Sequence, residues 1–326
     1  MATPLLRNDP SKKPSRTTRR FRAMGTEAYI EIVHTKERQD DAEAALAKIV
    51  ELCFEKVSIF NRFDPESELC FLNAHLGEFR DASPDMITVA LHAIDFHHES
   101  AGLFDPRILS ALKRAGYTSD FSQGLSLFKK PSLFFSSSNR HTLRRDLHVW
   151  GERVRFDVPL DFSGIAKGYI LDILARRLRN DGWQNFLIDA GADIVLSGVN
   201  VQNEYWRIDA EGVSPASILA VRDMAIATSG ITRRQWIDTE GNRYHHLIHP
   251  KHPLEFSFDL LSVTALSENA ERSDFLAKIL FLMGREAGQA FATKHRIPAI
   301  FLEERNGRTV LFKTPEATRL LCKTQK

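Results

Sequence analysis

The chain has 326 residues, 43% of them hydrophobic and 26% charged, which is enough to bury a sizeable core. Its 44 Lys and Arg nearly cancel its 42 Asp and Glu, leaving +2, so no concentrated basic face points to a nucleic-acid partner. Nor does any run approach the roughly 18 apolar residues of a membrane span, and the three cysteines, Cys53, Cys70 and Cys322, form no CxxC pair of a zinc or disulfide framework.

The basic N-terminus reads as a disordered tail over residues 1–20, followed by one domain over 21–326. Arg19-Arg20 resembles the start of a twin-arginine signal, but Ala23, Met24 and Gly25 follow with no apolar segment. A reducing, cytoplasmic setting is the expectation. From Ala28 to Val33 the alternation predicts a strand, and from Arg38 to Ile59 apolar residues recur at helical spacing (Ala42, Ala45, Leu46, Ile49, Cys53, Val57). Asn61 to Pro65 has turn chemistry, Ser67 opens a short helix to Asn73, and Ser83-Pro84 starts a helix reaching Ser100. The Ser-, Phe- and Arg-rich stretch from Ser119 to Leu147 shows no period. Val154 to Asp161 reads as a strand, Lys167 to Asp181 as a helix, and Asn185 to Val195 as an apolar strand broken at Gly191. Further strands are expected at Trp206 to Asp209 and Ile218 to Ala227, a last helix from Glu271 to His295, and a closing strand from Pro298 to Leu302. Without a strict βαβ rhythm, the fold class is α+β.

The densest chemistry lies in DFSGIAKGYILD, Asp161 to Asp172, where a strand end, a small-residue turn and Lys167-Gly168 enter a helix. Backbone N–H groups at such a turn, with one ammonium, suit a diphosphate; neither GxxxxGK[ST] nor GxGxxG is present, and packing alone explains such a turn equally well. Turn chemistry also explains Met24-Gly25-Thr26 and Ala227-Thr228-Ser229-Gly230. The imidazoles of His245, His246 and His249 lack an acidic partner and sit beside Pro250, a poor zinc signature.

Their order is more specific than any one of them. MGT, FNRFDPESELCFLNA, GLFDPRILSALKRAGY, DFSGIAKGYILD, FLIDAGADIVLSG, AIATSG, HHLIHP and SVTALSENAERSDFLAKILFLMG together make the chain, from Met24 to about Gly288, resemble the ApbE family of FAD:protein FMN transferases. The resemblance implies a single α+β domain with T-fold-like mixed sheets and packed helices. It also implies FAD as substrate or bound ligand, magnesium as cofactor, and an acceptor protein whose Thr or Ser hydroxyl receives FMN. Neither nucleic acid nor membrane is an implied partner.

Carried over by motif, Met24 meets the flavin nucleotide, Phe60 sets an aromatic ring against FAD, and Leu103, Phe104 and Asp105 meet the adenosine part. Asp161 and Lys167 are FAD contacts, Lys167 on phosphate, while Thr228 and Ile248 fall at cofactor-side positions. His246 is the implied general acid/base, its imidazole titrating near neutrality. Magnesium would draw on Asp274 and a backbone oxygen of Gly164. Where the family has Thr on that helix this chain has Lys278, which pairs with Asp274 at i,i+4 or sets its ammonium in the metal's place. His249 stands where the family has Asp, and Ala192 where it has Gly. These departures keep two other readings open: a non-catalytic FAD-binding protein with a degenerate metal site, and an FAD pyrophosphatase.

Overall fold

The computed structural model describes residues 14–117, 142–210, 217–232, 234–253 and 255–322. Most of the Ser- and Phe-rich stretch expected to lack a period lies outside the described residues.

The framework is an eight-stranded antiparallel sheet. Its strands are β1 (Pro14–Ala23), β2 (Thr26–Thr35), β6 (Phe186–Asp189), β7 (Asp193–Ser197), β10 (Met224–Gly230), β13 (Leu260–Ser267), β14 (Ala299–Arg305) and β15 (Arg308–Lys313), in the spatial order β1-β2-β6-β7-β10-β13-β14-β15. Period-two alternation gives the sheet two apolar faces. Ile30, Ile32, Ile188, Val195, Ala227, Val263 and Ala265 enter the large core under the helices. Val33, Leu187, Leu196, Ile226, Leu266 and Ile300 enter a second core on the other face, covered by the hairpin β8 (Trp206–Asp209) and β9 (Ile218–Val221).

The helical layer comprises α1 (Gln39–Phe60), α2 (Glu68–Ala74), α3 (Pro84–Glu99), α4 (Leu109–Arg114), α5 (Ala166–Asn180), α6 (Ala270–Leu282) and α7 (Arg285–Lys294), with α8 (Pro315–Arg319) near the C-terminus. Ser67 and Ser83 cap α2 and α3 through their side-chain oxygens, as their sequence positions predict. Three short strands, β3 (Arg80–Asp81), β4 (Leu147–Trp150) and β5 (Arg153–Phe156), form a small sheet, and β11 (Gln235–Ile237) pairs with β12 (Arg243–His245).

Several expected elements are corrected. Residues 14–20, assigned to the tail, belong to β1, with Arg19 opposite Ile30 and Arg20 opposite Tyr29; alternating arginines on an edge strand hide the strand signal from an apolar count. The single strand expected from Asn185 to Val195 is the hairpin β6–β7, because Gly191 takes a φ of 81° in its turn. The strand from Ile218 to Ala227 divides into β9 and β10, in different sheets, and the last helix divides into α6 and α7 at Gly284.

Candidate active site

Crossing of α5 and α6 builds the centre of the site. Gly168 is a packing glycine: a Cβ there would lie 2.5 Å from the Ala270 carbonyl oxygen. Four residues on, both carboxylate oxygens of Asp172 accept from the N–H groups of Ala270 and Glu271, at 2.8 and 2.9 Å. These contacts fix the start of α6 against α5, so the side chains one turn further along α6 lie next to the strand-to-helix turn that carries Gly164.

Asp274 and Lys278 are those side chains. Lys278 Nζ donates to Asp274 Oδ1 at 3.2 Å, and the lysine lies across Gly164: a Cβ on that glycine would be 2.9 Å from Lys278 Cε and 3.4 Å from its Nζ. Phe104 closes the same point at 3.2 Å, its ring edge-on to Phe275 of α6. Asp274 Oδ2 is buried without a hydrogen-bond partner.

A second ion pair faces the first. Lys167 Nζ is 2.9 Å from Asp193 Oδ2, a carboxylate with only 2% of its side chain exposed. Burial pushes the Asp193 carboxyl above the ordinary carboxylate range; Lys167 opposes the rise, Asp274 adds to it, and Lys278 opposes it. The charges of both pairs thus act on one another. Just before Asp193, the Ala192 carbonyl accepts from the Thr228 amide at 2.8 Å, and Thr228 Oγ1 is 2.7 Å from Thr264 Oγ1. The Thr26 side chain of the Met24-Gly25-Thr26 turn packs directly on Gly191, while Met24, at a φ of 53°, is partly buried against the large core.

His246 follows β12, half-buried, with Nδ1 3.4 Å from the Arg234 carbonyl oxygen. Burial holds its pKa well below the ordinary imidazole value, and the charges of Arg234 and Lys278 depress it further. The ring is therefore neutral at physiological pH. With Nδ1–H directed at the carbonyl, Nε2 is left as a lone-pair acceptor.

Asp161 is held by its own turn, accepting from Ser163 N at 2.9 Å and Ser163 Oγ at 3.0 Å, with Arg62 Nε 3.5 Å away. Its amide donates to the Pro106 carbonyl, tying this segment to Leu103, Phe104 and Asp105. Leu103 is partly buried against the large core.

Three expected contacts are placed differently. Asp105 is buried and bidentate to Arg107, with Nη2 at 2.7 Å and Nε at 2.9 Å; Arg107 in turn reaches Asp146 at 2.7 Å. Its oxygens anchor an internal guanidinium. Phe60 is 5% exposed and edge-on to Tyr169, a core position. Ile248 packs with Tyr117, Trp236 and Tyr244 in a satellite cluster over α4. Sequence reading missed Asp193, Arg62 and Arg234. Asp193 did leave a signal, since a carboxylate beginning an apolar strand needs a charged partner.

Magnesium does not fit the residues present. Among the described residues no three His, Cys, Asp or Glu side chains converge as for a metal. The Lys278 ammonium pairs with Asp274 and lies beside the turn at Gly164, between the two expected ligands. A dication about 4 Å from that ammonium would be repelled by roughly 8 kcal/mol at an effective dielectric of about 20, twice the value for a unit pair.

An antiparallel sheet flanked by helices carries two lysines, two buried carboxylates and a neutral imidazole converging between α5, α6 and the ends of β7 and β12. The ApbE family model matches residues 24–301, and the chain belongs to the ApbE family. It is 28% identical over 276 residues to the FAD:protein FMN transferase of Vibrio cholerae serotype O1, covering 80% of each chain. To that of Chlamydia pneumoniae it is 27% identical over 270 residues, covering 78% of this chain and 82% of the relative. Its structure matches the flavin transferase ApbE from Vibrio cholerae with a TM-score of 0.80 at 25% identity, over 94% of this chain and 100% of that one. The ApbE protein from Thermotoga maritima shares the fold at a TM-score of 0.79 and 22% identity, over 95% of this chain and 100% of that one.

Proposed function

We infer that this protein is an FAD:protein FMN transferase, which cleaves the FAD pyrophosphate and passes FMN to a Thr or Ser hydroxyl of an acceptor protein. What carries the reading is the convergence of Lys167, Lys278, Asp193, Asp274 and His246 in one place within an ApbE fold.

In the reaction, the acceptor's hydroxyl oxygen bonds to the flavin-side phosphorus. The bond from that phosphorus to the bridging oxygen breaks, and its electron pair leaves on AMP. His246, neutral and with Nε2 open, takes the hydroxyl proton; the low pKa limits its strength as a base but keeps it unprotonated across the physiological range. Lys167 and Lys278 offset the charge that grows on the phosphate oxygens. Asp193 and Asp274 orient the two ammoniums, since an ion-paired lysine gives up the rotamer freedom a solvated one keeps. Phe104 covers one side of the Gly164 turn.

Incubation with FAD, with and without a flavinylatable acceptor, tests this. AMP and protein-bound flavin formed together, only when acceptor is present, are expected. AMP without acceptor would mark a pyrophosphatase instead. FAD bound with no AMP in either arm would mark the binding protein to which the Lys278–Asp274 pair lends weight.

A further inference from the structure

The position taken by Lys278 reaches beyond that function. Its ε-carbon and ammonium lie over Gly164, where any side chain on the turn would collide with them. Its Nζ pairs with Asp274 Oδ1, and its charge reaches Asp193 on one side and His246 on the other. The lysine is 17% exposed, its ammonium paired with Asp274 and the adjoining ε-carbon lying over the Gly164 turn. The fixed charges already balance, because Asp193 and Asp274 are matched by Lys167 and Lys278. A magnesium ion on Asp274, even on its unpartnered Oδ2, would sit beside the Lys278 ammonium that already pairs with Oδ1.

We propose that Lys278 is a built-in replacement for the divalent cation, so that this protein binds the FAD pyrophosphate and transfers FMN without magnesium. The inference rests on the transferase reading and concerns the same site. Lys278 supplies one positive charge where a magnesium ion would supply two, and it needs no dehydration or recruitment from solution. Gly164 is the complementary half of the arrangement, since a Cβ there would push against the lysine's ε-carbon where it now lies.

Titration of FAD into the full-length protein, followed by quenching of flavin fluorescence, tests the idea once in EDTA and once in excess magnesium. The wild-type affinity should be the same in both, within about twofold. Lys278→Thr should lose about tenfold or more in EDTA, the worth of a charge-assisted phosphate contact, and should recover when magnesium is added. Lys278→Gln, which keeps the stem without the charge, should lose as much in EDTA and recover nothing. Manganese in place of magnesium gives a readout independent of catalysis: its paramagnetic resonance should show stoichiometric, FAD-dependent binding to Lys278→Thr and none to the wild type. Wild-type FAD binding that requires magnesium, or a stoichiometric manganese ion in the wild-type FAD complex, overturns the inference while leaving the transferase reading intact. A wild type that binds no FAD under either condition removes both.

Discussion

Gly168 of α5 and Ala270 of α6 touch through their backbones: a Cβ on the glycine would lie 2.5 Å from the Ala270 carbonyl oxygen and 2.6 Å from its carbonyl carbon. The obstacle is main chain at the first turn of α6, so no rotamer change relieves it. Everything that α6 brings to the site, Asp274 and Lys278 included, is placed by this contact.

Gly168→Ala should therefore destabilise the fold, although alanine is the better helix former by about 1 kcal/mol. Overpacking against immobile backbone costs about 1–3 kcal/mol or more, which outweighs the propensity gain. Urea unfolding should give a lower midpoint with unchanged slope, and FAD affinity should fall as α6 shifts. A midpoint at or above wild type would mean that the two helices separate freely.

Asp172 makes the second link, taking the N–H groups of Ala270 and Glu271 that the start of a helix leaves without partners. Asn269 caps only the Arg272 amide, so it cannot substitute. Asp172→Ala should cost about 1–2 kcal/mol, the usual loss for a removed cap. Hydrogen exchange should speed up at the first turn of α6 before it does so in β10 or β13. Uniform loss of protection would assign Asp172 to general packing instead.

How far the sequence foretold these parts depends on where each signal resides. The start of α3, marked by Ser83-Pro84, was legible because capping is local. The Lys278–Asp274 pair was legible because i,i+4 spacing on a helix fixes proximity. The bond of Lys167 to Asp193 was not, since it joins a helix to a strand through the sheet's connectivity alone. Asp105 reads in sequence as an open acidic turn, yet Arg107 occupies it and is itself held by Asp146, an arrangement settled only when the chain near residue 146 folds back onto that turn. The surroundings of Phe60 were hidden for a related reason: aromatic character does not say which rings it meets, here that of Tyr169.

His245, next to the proposed base, serves stability and offers a pH test. Its ring lies 5.0 Å from Phe256, 5.2 Å from Phe258 and 6.0 Å from Phe281, and this burial lowers its pKa from 6.5 to about 4. A base whose folded-state pKa is depressed gives its full stability above the unfolded value and loses it as the pH falls towards the folded one. The loss should run from about pH 6.5 down to about 4 and reach about 3 kcal/mol, at 1.36 kcal/mol per unit. His245→Phe carries no proton to lose. It should be the less stable protein at pH 7.5, lacking the contact of His245 with the Ser257 carbonyl at 3.2 Å, and should gain steadily on wild type as the pH drops to 4.5. Parallel stability curves for the two proteins would show that His245 is not held neutral.

His246 carries the corresponding prediction for activity. Because burial and the charges of Arg234 and Lys278 hold its pKa well below 6.5, the imidazole should already be unprotonated at pH 6. The rate of AMP release should then be flat from pH 8 down to 6, where a base with an ordinary imidazole pKa would have lost most of its free form. His246→Asn should keep FAD affinity within a few-fold, since the ring is neutral and the proposed phosphate contacts belong to the lysines. It should lower the rate of transfer by about 10²–10⁴, the usual worth of general-base help. Lys278→Gln separates charge from basicity: with that ammonium gone, the imidazole's pKa should rise and an acid limb should enter the profile from below. A wild-type profile that halves near pH 6.5 would show the ring titrating as if solvated. A fully active His246→Asn would move the proton transfer to another group.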